Sequence, residues 1–248
     1  METFKYETHL HTLEGSACGR TSGPDYIEPF YNAGYSGIFV TDHFFGGNTA
    51  APKASEAYWE MRVSIYCRGY EKAFEEAQAF NKKHGLIGTP KEFKVFFGIE
   101  QTFQGDDYLV YGFDKDWLLA HPEVEHMNQK ELLEAVNKVQ GLMIQAHPFR
   151  LRDYIQAIHL HCRDVHGVEV YNAGNQSKEN ALAELYAKDY DFPVTSGSDI
   201  HNVALLQPTP GKLPVGGMIF DSPLEDVFDY ARRVKAKQYK LIKYEKEL

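Results

Sequence analysis

Two histidines one residue apart, His9 and His11 in Tyr6-Glu7-Thr8-His9-Leu10-His11, close a run that reads as a first β-strand. Strand side chains alternate faces, so residues i and i+2 project the same way and can grip one metal ion. A His-x-His pair is equally compatible with chance on a half-buried strand, so the reading needs other ligand types at the same place. Four more clusters supply them, each directly after an apolar or β-branched run. Residues 37–41 lead into Asp42-His43, residues 93–99 into Glu100, residues 141–146 into His147, and residues 192–198 into Asp199-Ile200-His201. Metal-capable residues at the ends of several strands imply one shared mouth, because in barrels of parallel strands alternating with helices the chemistry sits at the C-terminal rim.

The segments between these strands carry helical period and punctuation. Residues 24–33 place Tyr26, Ile27, Phe30 and Tyr31 on one side, with Pro24 near the start and Gly34 as the stop. Residues 55–84 form one long helix with Trp59, Val63, Tyr66, Tyr70, Phe74 and Ala77 as a core-facing stripe, closing at Gly85. Residues 129–140 and 177–189 are further helices, and residues 107–113 and 167–171 further strands. A last helix starts at Ser222, with Pro223 in its first turn and Arg232, Arg233, Lys235 and Lys237 toward its negative end, and is expected to be mostly solvated. The expected fold class is therefore α/β, a barrel of some seven strands with intervening helices.

Length and composition permit this. A chain of 248 residues, 43% apolar and 14% aromatic, suits one barrel-sized domain over residues 1–248. No apolar run approaches the ~20 residues that cross a bilayer, and the N-terminus begins a strand rather than an export signal. Cys18, Cys67 and Cys162 form no disulfide framework. A cytoplasmic location follows as an expectation, and Asn175-Gln176-Ser177 is a coincidental glycosylation pattern. The net charge of −9 disfavours a surface devoted to long nucleic acid and leaves a small anionic substrate open, since bound cations invert the local sign. The sequence does not determine the oligomeric state.

His9-x-His11, Asp42-His43, Glu100, His147 and Asp199-x-His201 resemble, in type and order, the motifs of the polymerase and histidinol phosphatase (PHP) superfamily, over nearly the whole chain. The resemblance implies a distorted seven-stranded, TIM-like (β/α) barrel whose C-terminal rim holds up to three divalent ions, zinc, manganese or iron, used for phosphoester hydrolysis. It implies that His9, His11 and Asp199 hold a first ion, that Glu100 bridges it to a second served by His147, and that His43 and His201 hold a third with a ligand from the loop after His11. Glu14 is the candidate in that loop. Asp107 stands where many relatives have a histidine; it either ligates the second ion through oxygen or is a solvated strand-starting residue.

Asp42, beside a ligand on a strand, is expected to accept the ring N–H of a metal-bound histidine instead of ligating. Pro148 is expected to hold His147 in extended backbone at a strand end. Arg20 and Arg150 are placed to fork a phosphate. Glu169 and Asn172 lie at the end of another strand, where the glutamate could orient ligands and the asparagine touch substrate or turn the chain. Cys18 is either a metal neighbour or, with more weight, an inert small residue, and Gly46-Gly47-Asn48 reads as a plain turn. His84, His121, His126, His159, His161 and His166 are expected at surfaces or caps, His159 and His161 within a helical run at 154–160.

These features point to a metal-dependent phosphoesterase in which metal-activated hydroxide attacks a small phosphorylated metabolite or nucleotide. His201 or Asp199 could protonate the leaving group. The alternatives are a non-catalytic metal-binding PHP module and an oligonucleotide exonuclease. Histidinol phosphate is disfavoured, because the loop after His11 lacks the Cys-Pro-His-Gly-like run associated with such phosphatases.

Overall fold

The structure, a computed structural model, describes residues 3–153, 155–206 and 215–243. Its strands are β1 (Phe4–Leu10), β2 (Gly37–Val40), β3 (Lys94–Phe103), β4 (Asp106–Tyr111), β5 (Leu142–Gln145), β6 (Gly167–Asn172), β7 (Val194–Gly197), β8 (Gly217–Phe220) and β9 (Lys240–Ile242). Its helices are α1 (Ile27–Asn32), α2 (Trp59–Tyr66), α3 (Arg68–His84), α4 (Lys115–Ala120), α5 (Gln129–Lys138), α6 (Ser177–Asp189) and α7 (Val227–Lys235). The strands form one sheet in the order β7-β6-β5-β4-β3-β2-β1-β8-β9.

This sheet nearly closes into a barrel. The C-terminal end of β1 meets the segment after β7 through a parallel bridge between Leu10 and Ile200 and a bond from His11 N to Ile200 O at 2.9 Å. The start of β1 pairs instead with β8, antiparallel, so β8 and β9 fill the other end of the seam. Two pairings are irregular: β1 against β2 between Glu7 and Leu10, and β6 against β7 between Glu169 and Tyr171. Bulges re-aim side chains at barrel rims; the first of these spans His9 and the second directly follows Glu169.

The architecture departs from strict strand–helix alternation. β4 is antiparallel to both β3 and β5, and β3 and β4 form a tight hairpin through Gln104 and Gly105, both with positive φ. Because β4 runs the other way, its first residues lie at the rim where the parallel strands end. Glu100 consequently lies inside β3 rather than at its end. β5 and β6 are joined by a segment without regular helix, including the described part of the run at 154–160; Tyr154 lies outside the described residues.

The expected 55–84 helix is two helices, α2 and α3, broken at Cys67, and residues before Trp59 are not helical. The last helix begins at Val227, five residues later than expected, because the Asp226 side chain accepts from Phe228 N and Asp229 N and so caps it. Nor is it mostly solvated. Tyr230, Ala231 and Val234 are buried, packing with Tyr6, Phe39, Phe220 and Leu224 in one apolar core, where burial of such a ring contributes roughly 1.5–3 kcal/mol. A second core packs α1 and α3 on β2 and β3 through Ile27, Phe30, Ala73, Ala77, Ile38 and Val95. Among the described residues, no helix is long and apolar enough to cross a membrane.

Candidate metal centre

His9, Glu100, His147, Asp199, His11, His43 and His201 come from five separated segments and meet at the rim. His9 Nε2 lies 3.1 Å from Glu100 Oε1 and 3.5 Å from Asp199 Oδ1; His11 Nε2 lies 3.1 Å from Asp199 Oδ1 and 3.4 Å from Glu100 Oε2. His43 Nδ1 is 2.7 Å from Glu100 Oε2, and His147 Nε2 is 3.2 Å from Glu100 Oε1. Asp107 joins from the start of β4, 3.8 Å from His147 Nε2, with Thr102 donating to its other oxygen at 2.5 Å. The rings of His43 and His201 lie 4.4 and 4.3 Å from that of His11.

The ligand-capable atoms fall into four overlapping groups, each mutually within 4.8 Å: His9, His11 and Glu100; His9, His147 and Asp199; Glu100, Asp107 and His147; His11, His43 and His201. Residues that share a group share a volume the size of an ion's coordination sphere.

The chemistry of the donor set fits a cation. His9 Nδ1 lies 3.0 Å from Glu169 Oε1, a carboxylate that can only accept, so Nδ1 carries the proton. Ser16 Oγ gives its own proton to Asp42 Oδ1 at 2.6 Å, and therefore accepts from His11 Nδ1 at 3.1 Å and from His43 N at 3.0 Å. With both Nδ1 atoms committed, the Nε2 lone pairs of His9 and His11 face the oxygens of Glu100 and Asp199. These buried Nε2 atoms, with His43 Nδ1 and Glu100 Oε2, have no hydrogen-bond partner among the described residues. Lone pairs packed against carboxylates repel unless a positive charge lies between them.

Titration behaviour follows the same field. Burial alone would make His9 less basic, yet Glu169, Asp199 and Glu100 hold it well above the ordinary histidine value. Burial and then the neighbouring His43 push His11 down to about 3. Burial works against ionising Glu100 and Asp199, but the surrounding histidines, with Arg150 for Asp199, hold both carboxylates well below the usual range. Carboxylates that draw protons onto their neighbours draw cations by the same attraction.

Local backbone serves these positions. His147 and Asp199 have φ of 30° and 53°, a region costly for non-glycine residues and tolerated where the surroundings over-determine it. His147 is thus bent rather than extended before Pro148. Its N–H is satisfied by Glu169 Oε2 at 3.1 Å, which also accepts from Asn172 at 2.9 Å. Gly197 lets β7 pass behind His9: a Cβ there would stand 2.4 Å from His9 Cβ.

Other expected site residues divide. Asp42 does not contact a histidine ring; its oxygens accept from Thr12 N, Thr12 Oγ1 and Ser16 Oγ, so it acts on His11 only through the Ser16 hydroxyl. Glu14 points away, accepting from Ser22 Oγ, from Gly23 N at 3.1 Å and from Lys72 Nζ at 2.9 Å. It is not brought to the cluster, because two side chains and the start of the 3-10 turn at Gly23–Tyr26 already claim both oxygens.

Arg150 is fixed at the rim, with Nη2 2.6 Å from Asp199 Oδ2 and 2.8 Å from Asn172 Oδ1, and Nε 2.8 Å from Asn175 Oδ1. Arg20 is exposed, its guanidinium on the carbonyl of Gly19, and the two arginines form no fork. Residues 45–48 are a turn, as expected.

Among the remaining histidines, His159 pairs with Asp106 at 2.6 Å, His121 with Glu123, and His166 accepts from Met143 N, none at the cluster. Sequence reasoning passed over Ser16, whose role depends on a loop fold no motif announces. It also passed over Glu7, a buried carboxylate of β1 that accepts from His9 N at 2.8 Å and from Ser198 N and Oγ.

No protein-family model and no curated protein matches the chain. Solved structures do. A two-domain protein of Bacteroides vulgatus containing a predicted PHP-like metal-dependent phosphoesterase aligns at a TM-score of 0.69 and 16% identity, over 98% of this chain and 65% of that one. A candidate metal-dependent phosphoesterase of Bifidobacterium adolescentis aligns at 0.51 and 14% identity, over 79% of this chain and 87% of that one. An amidohydrolase of Chromobacterium violaceum with bound sulfate aligns at 0.51 and 13% identity, over 97% and 98% of the two chains. The chain therefore spans just under two thirds of the Bacteroides protein and has the fold found in PHP-like metal-dependent phosphoesterases.

Proposed function

We propose that this chain is a divalent-metal-dependent hydrolase that cleaves the phosphoester of a small phosphorylated metabolite or nucleotide. One observation carries the reading: the buried, unpartnered Nε2 atoms of His9 and His11 face Glu100 and Asp199 at 3.1–3.5 Å. Their ligand set is His9, His11, Asp199 and Glu100 for one ion, and Glu100, His147 and Asp107 for a second, with zinc, manganese or iron as the candidates. Such ions, when bound, lower the pKa of a water and offset phosphoryl charge.

The protein's own contribution is orientation. Glu169 fixes the tautomer and plane of His9; Ser16, held by Asp42, does the same for His11. Arg150 is held by Asp199, Asn172 and Asn175 through Nε and Nη2, and its guanidinium is the group offered to a phosphoryl oxygen.

The test is to purify the protein without chelator, quantify metals per chain, and follow phosphate release from a monophosphate panel with and without added Mn²⁺ or Zn²⁺. His9→Ala and Glu100→Ala should each abolish turnover while circular dichroism stays unchanged; full activity in both variants would refute the assignment. A parallel panel of amides separates the chemistries, since amine release without phosphate release would move the reading to amide hydrolysis.

A further inference from the structure

The first half of β3 borders a cavity of about 380 Å³ that no residue of the metal centre lines. It lies between α3 and the segments that begin α4 and α7. Because β3 turns directly into β4, no helix follows it to cover this stretch. Val95 in the lining precedes Glu100 by five residues, about 17 Å along a strand, so the cavity lies away from the rim.

The walls are aromatic. Tyr70, Phe74, Phe93, Phe96, Phe97 and Phe113 all line the cavity, and the Tyr70 ring stands 5.9 Å from that of Phe74 and 5.2 Å from that of Phe97. Phe74 is 39% exposed, which sets its ring at the mouth. The edge is acidic. Glu92, Asp114, Glu225 and Asp226 line it against one cation, Lys94, whose Nζ already donates to the carbonyl oxygens of Leu224 at 2.6 Å and Glu225 at 3.4 Å. Asp114 and Asp226 each cap a helix through Oδ1, and Glu92 accepts from Gly88 N through Oε2 at 2.9 Å. The other oxygen of each, and both oxygens of Glu225, have no hydrogen-bond partner among the described residues.

We propose that this cavity is a second ligand site, separate from the metal centre, that binds a small organic ammonium ion. Aromatic faces are negative and attract cations, so rings and carboxylates select the same occupant, a positive charge on an apolar body. The volume is that of a small-molecule site, roughly 300–1,000 Å³. The same carboxylates repel an organic anion, and an uncharged molecule of equal shape gains the apolar contact alone.

Titrating protein labelled with ¹³C at its valine methyls with 2-phenylethylammonium tests the assignment, because Val95 and Val227 both line the cavity. The expected result is saturable shifts at those two valines and an affinity roughly tenfold above that for 2-phenylethanol, with phenylacetate weaker still. Phe74→Ala and Glu225→Gln should each weaken the ammonium about threefold or more; both side chains are exposed and neither caps a helix. Equal binding of alcohol and ammonium, tighter binding of the carboxylate, or shifts confined to valines outside the cavity would overturn the proposal. So would the absence of saturable shifts at millimolar ammonium, or unchanged affinity in both variants. The comparison of the three ligands uses the unaltered chain and does not depend on any variant folding.

Discussion

Replacing Glu169 by glutamine isolates the step by which the fold makes His9 a ligand. Glu169 is buried, with Oε1 3.0 Å from His9 Nδ1 and Oε2 accepting from His147 N at 3.1 Å and Asn172 Nδ2 at 2.9 Å. An amide cannot serve all three donors. With its oxygen toward His9, its NH₂ faces the other two donors, leaving each unsatisfied at about 1–3 kcal/mol. Turned round, it presents hydrogen to His9 Nδ1, so the ring proton moves to Nε2 and the lone pair leaves the cluster.

Either orientation weakens the metal-binding form specifically. Loss of such a partner lowers metal affinity about 10–100-fold, equivalent to about 1.4–2.7 kcal/mol. Competition against a chromophoric chelator measures that change directly. By linkage, the metal-induced rise in stability should shrink by the same amount at saturating ion, while chelated Glu169→Gln loses less, having also shed a buried negative charge. Unchanged affinity in a folded Glu169→Gln protein would refute the tautomer argument.

Asp107→Ala should remove about one bound ion per chain, read by elemental analysis; full retention would return the residue to a solvated strand start. Glu14→Ala should leave the metal count unchanged and cost about 1–3 kcal/mol in thermal or urea unfolding, because Gly23 N and Ser22 lose their acceptor; a lost ion would reinstate it as a ligand. Burial raises Glu7 from 4.5 to about 7 against opposing hydrogen bonds from Ser198 and His9. Between those values the folded protein holds a proton the unfolded chain has released, so in chelated protein stability should fall as pH rises across that window, by up to about 3 kcal/mol. Glu7→Gln should flatten that slope, and an identical slope in urea unfolding would exclude Glu7 as its source.

Much of the centre was legible because its signals are local. His9-x-His11, Asp42-His43 and Asp199-x-His201 each combine a ligand type with a preceding apolar run, and a strand that ends abruptly in polar residues announces a rim whatever the rest of the chain does. The expected helix at 177–189 matches α6, whose start the structure closes with a capping box of Gln176 and Glu179.

What escaped was decided by contacts distant in sequence. Whether the last helix is solvated depends on Tyr230 meeting Tyr6 and Phe39, which its own polar composition does not reveal. The antiparallel setting of β4, which carries Asp107 to the rim, depends on the tight Gln104-Gly105 turn and the neighbours on both sides. Glu14 was the candidate ligand in the loop after His11, where the resemblance implies one. The fold turned it instead to Ser22, Gly23 and Lys72. Residue type determines what a side chain can bind, and sequence alone determined the chemistry available here; where each donor points is fixed by loop hydrogen bonds and packing across the barrel seam, and only the tertiary structure decided which donors meet.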